Sequence, residues 1–595
     1  MESTVSTSPS ASHPPGGSAP REWFAPLLLA LAVFAFWLPG LDVLLPHQPE
    51  PDAYAARQIE VLEGREPPER TFFFYPLLLA RLASTIPVDA GFLTVTGLEP
   101  ELHQASAAWI RVRVISLLAH AATVLLVFAL ARRFLGARAS LLASALMAVA
   151  LVPATYVVQG RPHMLALATV SAGLLFAVRF VERPSLGRSV AVGLSLFLAG
   201  GTLHSGWMLI GSVMIAHLIA AVQGYGKGKA IGGAVLALVI GAAAVPLLYP
   251  TWSGIAPPVQ GKPVAVPEIS NGVLRWGQHR LSLGRFGGAN PLLWLQRFWE
   301  WDPVLLVSAV AGLFGVLLGL RRWRSSGAQG RASLVLAVHG VAYVGVLCLY
   351  KKPTGRYLLS LYPVCAVLGA AAVRNVARRV RWGKQPLCTR RVALVVLTAL
   401  VLWIPGSSAA HLWRLRQRPD TAELAAAWLT EKVVAGQPVG MASVTSLPFI
   451  FAPARFDQER TPWIRSQPWP RALVNHAALD VDQLPLGSVF NLSRHKDLPA
   501  IRAELDHLKG GFLVVEVSQR TKATGRSMKH LDRLLDRFGT LLETFSPSQD
   551  EEASQRFFDF GDAPDQRRFM MARDRLGPLI QIYGIPKTLK GRPGK

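Results

Sequence analysis

The segment RNVARRVRWGKQPLCTRR, residues 374–391, carries seven Arg and Lys residues and no acid, and it separates two long apolar runs. Segments 131–139, 179–188, 224–229 and 321–331 repeat this pattern on a smaller scale. Together the five segments hold nineteen basic residues and one acid, Glu182. Short loops rich in Arg and Lys stay on the cytoplasmic side of a membrane. Because these loops alternate with loops that lack the bias, the sequence predicts a protein threaded many times through a membrane, with a cytoplasmic N-terminus.

Composition points to the same class. The mean hydropathy is +0.32 and 51% of the residues are hydrophobic, which is too apolar for an ordinary soluble chain of 595 residues. The formal net charge of +25 could indicate nucleic-acid binding, but the charge follows the membrane-flanking loops and forms no recognition patch. We therefore expect no nucleic-acid partner. The three cysteines provide neither a disulfide framework nor a metal site.

A membrane-spanning helix needs about 20 mainly apolar residues, and eleven runs meet or approach this length. The runs are residues 24–45, 109–130, 139–157, 162–180, 189–204, 207–223, 230–250, 303–320, 332–350, 356–373 and 392–410. The sequence thus predicts a polytopic all-α membrane domain of about eleven transmembrane helices over residues 23–410. Residues 1–22 are predicted to form a disordered cytoplasmic tail.

Three predicted external pieces follow from this threading. Loop 46–108 is acidic overall, and loop 251–302 is rich in tryptophans of the kind that settle at lipid headgroups. Residues 411–595 mix helical and strand-like stretches and are predicted to form an extracytoplasmic soluble α/β domain. The chain contains no glycine-rich nucleotide-binding loop, so no nucleotide cofactor is expected.

The stretch from Glu50 to Tyr54 follows directly on the first predicted span. Its two carboxylates, on Glu50 and Asp52, suit an enzyme that deprotonates a hydroxyl or holds a divalent cation near a lipid phosphate. The structural alternative is a solvated loop in which Asp52 caps a helix.

A second candidate is the short external turn from Gln159 to His163. Arg161 could bind phosphate, and His163 could ligate a metal or move a proton. The alternative is an arginine that extends to the interface beside an interfacial histidine.

The loop from Lys351 to Tyr357 is external by the alternation, yet it contains Lys351, Lys352 and Arg356. This breaks the charge rule, and an anionic lipid headgroup or phosphate would explain it. Headgroup anchoring is the alternative. With Arg111 and Arg113 at the start of the second span and His204 in another external turn, these residues predict a basic rim that faces the acidic first loop.

Several motifs, in order, resemble the GT-C polytopic glycosyltransferases, in the branch of the aminoarabinose transferases and protein O-mannosyltransferases, which use dolichyl- or polyprenyl-phosphate sugars. The matching stretches are Pro51–Ala56 with Tyr75–Leu78, Arg113–Ser116, Arg132–Gly136, Arg161–His163, Arg356–Pro363 and Gly577–Tyr583. The resemblance implies a GT-C-like membrane domain and transfer of a sugar from a polyprenyl-phosphate donor to an unknown glycan, lipid or protein acceptor. It also implies residence in the plasma (inner) membrane, with transfer on the external, periplasmic side.

The resemblance further implies roles for individual residues. The catalytic candidates are Asp52 and Glu50; the substrate-binding candidates are Arg113, Arg161, His163, Lys351, Lys352, Arg356, Tyr357 and Tyr75; and Asp52 and His163 are the candidate ligands of a divalent metal, Mg²⁺ or Mn²⁺. The chain departs from the family where an acidic pair is replaced by Asp52-Ala53 and where the second-loop acid is His163. A flippase or transporter for lipid-linked sugars and a non-catalytic membrane scaffold stay open as alternatives.

Overall fold

The computed structural model describes residues 20–43, 45, 54–64, 76–87, 100–249, 268–270, 273–276, 279–282, 288, 291–320, 328–350, 354–379, 386–434, 437–441, 498–517, 525–555 and 566–588. The catalytic candidates Glu50 and Asp52 lie outside these residues, as do Tyr75, Lys351 and Lys352.

Helices dominate the first two thirds of the chain. They are α1 (Pro20–Trp37), α2 (Tyr54–Leu62), α3 (Leu78–Ser84), α4 (Pro100–Ala131), α5 (Ala137–Val149), α6 (Leu151–Tyr156), α7 (His163–Glu182), α8 (Leu186–Thr202), α9 (Leu209–Ala220), α10 (Lys227–Ala242), α11 (Ala244–Leu248), α12 (Pro291–Trp301), α13 (Pro303–Leu320), α14 (Ala328–Leu347), α15 (Tyr362–Arg379) and α16 (Pro386–Arg416). A 3₁₀ turn, Gly355–Leu361, leads into α15.

The predicted spans coincide with apolar helices. Among the described residues, eight helices are long and apolar enough to cross a membrane, and α5, α8 and residues 303–317 of α13 are shorter apolar helices. All eleven predicted runs fall on one of these. The outer faces of α13 and α16 expose large apolar side chains such as Phe314 and Leu400, as expected for helices surrounded by lipid. The number of crossings and their orientation remain predictions.

Close helix packing depends on small residues. A Cβ atom at Gly312 of α13 would lie 2.2 Å from the carbonyl oxygen of Leu368 in α15, so these two helices touch backbone to backbone. Membrane helices pack through such small residues because lipid gives no hydrophobic drive for association. Helix α13 follows the loop 251–302 and α15 follows the Gly355–Leu361 turn, so the packing of these two helices brings the loop and the turn to the same end of the bundle.

The loop 251–302 differs from its prediction. It contains a three-stranded antiparallel sheet, β1 (Glu268–Ser270), β2 (Val273–Trp276) and β3 (His279–Ser282), which the sequence analysis missed. The prediction that its tryptophans settle at headgroups is wrong for Trp294 and Trp301, which are buried in the core of the bundle. Both lie on the inner face of α12, and Trp299 on the outer face is exposed.

The C-terminal part forms a mixed sheet with helices. Its strands are β4 (Val439–Met441), β5 (Phe512–Val517), β6 (Thr540–Phe545) and β7 (Leu579–Gly584), and its helices are α17 (Thr421–Lys432), α18 (Leu498–His507), α19 (Gly525–Phe538), α20 (Glu551–Gln555) and α21 (Gln566–Met571). The strand order is β4-β5-β7-β6, with β4 and β5 parallel and the other pairs antiparallel.

Both faces of this sheet are covered, because side chains alternate along a strand. Val514 packs with α17 on one face, and Leu513 and Val515 pack with α18 and α19 on the other. Helix α17 begins with a capping box, in which the Asp420 carboxylate accepts from the Glu423 amide and the Glu423 carboxylate accepts from the Asp420 amide. The predicted mixture of helices and strands in residues 411–595 is therefore seen in the described part of this segment.

The sheet and the membrane bundle are joined through α21. Met570 is fully buried in the bundle core, and its carbonyl oxygen accepts a hydrogen bond from Nε2 of His411 at 3.0 Å. Arg567 donates from Nε to the Ser408 hydroxyl, also at 3.0 Å. The C-terminal part thus packs against the end of α16 that follows the last apolar run.

Candidate functional site

Three predicted site segments meet at one end of the helix bundle. The middle of α4 near Ser116, the beginning of α7 and the Gly355–Leu361 turn before α15 all lie there. The Ser116 hydroxyl in α4 lies 3.1 Å from the carbonyl oxygen of Gln159 and 3.3 Å from that of Arg161. This side chain fastens the short Gln159–His163 turn to α4.

Arg161, His163 and Arg356 form a cationic cluster at this end. Arg161 and His163 are each 6% exposed, and Arg356 is half-buried. The guanidinium of Arg161 lies 5.7 Å from the centroid of the Tyr156 ring, and the His163 ring lies 5.3 Å from it. The positive charges of both arginines act on the His163 imidazole. The cluster thus combines residues from two separately predicted loops.

The 3₁₀ turn that carries Arg356 is held from α14. The Tyr343 hydroxyl donates to the carbonyl oxygen of Tyr357 at 2.9 Å, and the Tyr350 and Tyr357 rings lie 5.3 Å apart. The Arg356 guanidinium sits 5.4 Å from the Tyr357 ring centroid. The face of an aromatic ring attracts a guanidinium that lies over it. Tyr357, predicted to bind substrate, therefore directs Arg356.

The chain between α1 and α3 is anchored to α4 by two buried arginines. Arg111 donates from Nη1 and Nη2 to the two carboxylate oxygens of Glu63, at 2.5 and 3.0 Å. Arg113 donates from Nη1 to the carbonyl oxygens of Leu41 and Val43, at 2.7 and 2.8 Å. The predicted contact between an acidic loop and a basic rim is seen in the Arg111–Glu63 pair. Arg113, predicted to bind substrate, holds the chain just after α1.

Between these two anchors, helix α2 is docked against α4 through buried Ala55, Ala56 and Ile59. The candidate base Asp52 precedes this helix by two residues in the sequence. Asp42 lies at the other anchor, just after the apolar helix ends at Gly40. Burial raises the pKa of its carboxyl from 3.8 to about 6, against the lowering effects of a backbone hydrogen bond and the Arg113 charge.

Sequence reasoning missed the residues that fix α6, the short helix before the Arg161 turn. Asp302 is buried, and its carboxylate accepts from the amides of Leu151 at 2.9 and 3.1 Å and of Val152 at 3.3 Å. The Tyr362 hydroxyl donates to the same carboxylate at 2.6 Å. The first amides of α6 thus receive a carboxylate from 150 residues away, at the terminus where negative charge is favoured.

Arg416 completes α6 at its other end. Its two terminal nitrogens donate to the carbonyl oxygens of Ala154 and Thr155, both at 3.0 Å. Its guanidinium also lies 5.0 Å from the Trp37 ring centroid. A helix of six residues has little stability alone, and side chains satisfy both of its ends here. In the sequence, Asp302 and Arg416 are marked only as an acid and a base near the ends of apolar runs.

The cluster suits an anion better than the metal that the resemblance implied. Nδ1 of His163 is buried and has no hydrogen-bond partner among the described residues. Two guanidinium charges act on the same ring, and they disfavour a cation there. Within the described ranges, no three His, Cys, Asp or Glu side chains come together as metal ligands. The described residues therefore form no metal site by themselves. Asp52 lies outside them, so Asp52 and His163 as a ligand pair stay a prediction.

His204, another member of the predicted rim, is exposed and stacks edge to face with Tyr249 at 5.6 Å. It is not part of the Arg161–His163–Arg356 cluster. Of the predicted site residues, the structure thus brings Arg161, His163, Arg356 and Tyr357 to one end of the bundle and places Arg113 beside them.

Neither a protein-family model nor a curated protein sequence matches the chain. Solved structures are similar to it. An oligosaccharyltransferase from Archaeoglobus fulgidus, solved with a tethered acceptor peptide, is 11% identical with a TM-score of 0.46 over 88% of this chain and 72% of that one. The transferase ArnT from Cupriavidus metallidurans, solved with undecaprenyl phosphate, is 14% identical with a TM-score of 0.45 over 84% and 94%.

The arabinofuranosyltransferase AftD from mycobacteria is 13% identical, with a TM-score of 0.39 over 96% of this chain and 42% of that one. All three are GT-C glycosyltransferases, the class that the sequence motifs resemble. At these identities and TM-scores the similarity assigns no reaction to this chain.

Proposed function

We propose that this protein is a membrane glycosyltransferase that moves a sugar from a polyprenyl-phosphate donor to an acceptor hydroxyl or amine on the external side of the membrane. The observation that carries the proposal is the convergence of Arg161, His163 and Arg356 at the end of the bundle where the acidic first loop is anchored. A lipid-linked phosphate would lie at that height, where the two guanidinium groups can donate charge-assisted hydrogen bonds to its oxygens.

The chemistry follows from the leaving group. In the proposed step the bond between the anomeric carbon and the phosphate oxygen breaks, and its electron pair stays on the phosphate. The acceptor oxygen or nitrogen bonds to the same carbon and loses its proton to a base. Because the departing phosphate is already ionised, it needs no general acid. Arg161 and Arg356 would stabilise the charge that develops on it.

Asp52 is the residue we propose as the base, or as the group that positions it. It stands in the motif Pro51–Ala56, two residues before a helix that is docked against α4. Glu50 is the second acid of this segment. The proposed roles of Tyr75, Lys351 and Lys352 are donor binding from the neighbouring loops. A transporter or a scaffold would not need Asp52 as a base. Substituting Asp52 therefore distinguishes these two alternatives from an enzyme.

Donor binding tests the cluster. Full-length protein in phosphatidylcholine nanodiscs is titrated with polyprenyl phosphate. Removing one charge-assisted hydrogen bond from a phosphate should weaken binding by about tenfold or more, so Arg161→Gln and Arg356→Gln should each lower the affinity. Arg81→Gln, an exposed arginine on α3, is the matched control and should not. Equal affinities in all three variants would refute the proposed role of the cluster.

Transfer tests the base. Mass spectrometry of lipids and envelope glycans compares cells that lack the protein with cells that express it or a variant. A glycosyl modification should disappear without the protein, and Asp52→Asn should not restore it, since loss of a general base costs about 10²–10⁴ in rate. Glu50→Gln should have a much smaller effect. If both variants restore the modification, a transporter or scaffold is the better explanation; if only Asp52→Asn restores it, the base is Glu50.

A further inference from the structure

A second basic site lies at the opposite end of the bundle. A cavity of about 390 Å³ opens there, and Arg138, Arg374, Arg378 and Arg391 line it together with small apolar residues and Leu394. Helix α15 has 18 residues, so its ends are about 27 Å apart. The cavity at its C-terminal end is therefore separate from the Arg356 cluster at its beginning, by roughly the thickness of a bilayer's hydrocarbon core.

The four arginines come from three helices: Arg138 from α5, Arg374 and Arg378 from α15, and Arg391 from α16. Arg374 and Arg378 are four residues apart on one helix, where like charges face each other and destabilise the helix. Arg374 is held in place by a hydrogen bond from Nη1 to the carbonyl oxygen of Phe134 at 3.3 Å. An anion between the guanidinium groups would offset this repulsion.

No acid is among the residues that line the cavity within the described part of the chain. Two acids near this end, among the residues that the structure describes, already have basic partners: Glu22 accepts from Arg132 at 2.7 Å, and Glu182 pairs with Arg133. The positive charge of the cavity is thus not compensated by a lining carboxylate. An ordinary cytoplasmic flank of dispersed arginines would not require a shared cavity.

The cavity also contains the N-terminus of α5, a helix of 13 residues, at Gly136, Ala137 and Ala139. Gly136 has no side chain to cap the helix, and its dihedral angles of −73° and 162° are those of an N-cap residue. Backbone amides at a helix N-terminus attract anions, and the helix dipole adds to this. The amides at the start of α5 and the four arginines therefore all attract an anion into the same cavity.

We propose that this cavity binds a phosphate group, supplied by an anionic phospholipid of the adjacent leaflet. Guanidinium forks match phosphate oxygens in pairs, and the apolar walls made by Ala139, Ala377 and Leu394 suit the glycerol and first methylenes of a lipid better than a fully hydrated ion. Basic pockets between membrane helices bind such headgroups in this way. The site is distinct from the proposed donor site and does not depend on it.

The test uses native mass spectrometry of the full-length, delipidated protein. Diphosphatidylglycerol, phosphatidylcholine and inorganic phosphate are the probes. Wild type should bind diphosphatidylglycerol more tightly than phosphatidylcholine, and Arg378→Gln should weaken this binding by about tenfold or more. Arg379→Gln is the matched control, because Arg379 is the next residue on the same helix, is exposed and does not line the cavity.

A second pair of variants separates binding from folding. A side chain at Gly136 would meet no atom within 4 Å, and both Asp and Asn are good N-caps. Gly136→Asp should preserve the fold but place a negative charge in the cavity and weaken lipid binding. Gly136→Asn keeps the shape without the charge and should bind as wild type does.

Competition with inorganic phosphate shows whether the bound phosphate group belongs to a lipid or is a free ion. Competition by millimolar inorganic phosphate would assign the cavity to a free phosphate, and resistance to it would assign the cavity to the lipid. Both outcomes retain a phosphate site. Equal binding of diphosphatidylglycerol to wild type, Arg378→Gln and Gly136→Asp would overturn the proposal, as would a lack of preference over phosphatidylcholine.

Discussion

Removing the carboxylate of Glu63 should loosen helix α2, the helix that follows the candidate base in the sequence. Glu63 directly follows α2, and both of its carboxylate oxygens accept hydrogen bonds from Arg111. The Arg111 side chain is 2% exposed. Glu63→Leu would leave this buried guanidinium without its carboxylate. Truncating one partner of a buried pair costs more than the pair contributes, because the remaining charge has lost its solvent.

The expected cost follows from the contacts. Hydrogen bonds to charged groups contribute about 1.5–3 kcal/mol. The Glu63 side chain is 28% exposed, so water screens part of the attraction. We therefore take about 1.5–3 kcal/mol for the whole bidentate pair rather than for each bond. If α2 opens locally, the amides of Tyr54–Leu62 should exchange roughly ten- to hundredfold faster in the variant.

Hydrogen–deuterium exchange with mass spectrometry measures this on the full-length protein in nanodiscs. The double variant Glu63→Leu with Arg111→Met removes both charges and should return the exchange of α2 toward wild type. Helix α17, Thr421–Lys432, is far away in the chain and should exchange at the same rate in every variant. Unchanged exchange of α2 in Glu63→Leu, or equally fast exchange in the double variant, would refute the reasoning.

Three further predictions follow from packing, titration and threading. Gly312→Ala should lower thermal stability in detergent by forcing α13 away from the backbone of α15, whereas Gly315→Ala, whose Cβ would meet nothing within 4 Å, should not; similar melting curves would show that the close approach is unimportant. The pKa of Asp42 is raised to about 6, so the folded protein binds this proton more tightly than the unfolded chain, and the resulting stability is present below pH 4 and lost as pH rises to 6. Asp42→Asn should therefore stabilise the protein at pH 7 and have no effect near pH 4, and denaturation at the two pH values checks the sign. In a cysteine-free background, Ser518→Cys should react with an impermeant thiol reagent in intact cells and Ser325→Cys only after permeabilisation; the reverse labelling would contradict the predicted orientation.

The sequence by itself determined the class of the protein and the position of its helices. Apolar length is a local property, because a bilayer requires each span to be long and apolar on its own. For the same reason the runs at 109–130 and 356–373 fall on α4 and α15. The charge of the loops between these runs predicts on which side of the membrane each loop lies. The order of the motifs also selects Arg161, His163 and Arg356 as candidate site residues.

Only the tertiary structure decided what holds these candidates together. The ends of α6 are bound by Asp302, which lies between α12 and α13, and by Arg416, the last residue of α16, 114 residues further along the chain. Neither residue stands in a recognisable pattern, since a cap supplied from a distant segment leaves no local spacing. The same holds for the arginines of α5, α15 and α16, which each resemble an ordinary cytoplasmic flank and meet around one cavity only when the helices pack. Side chains that act through space become visible only once the helices that carry them are placed.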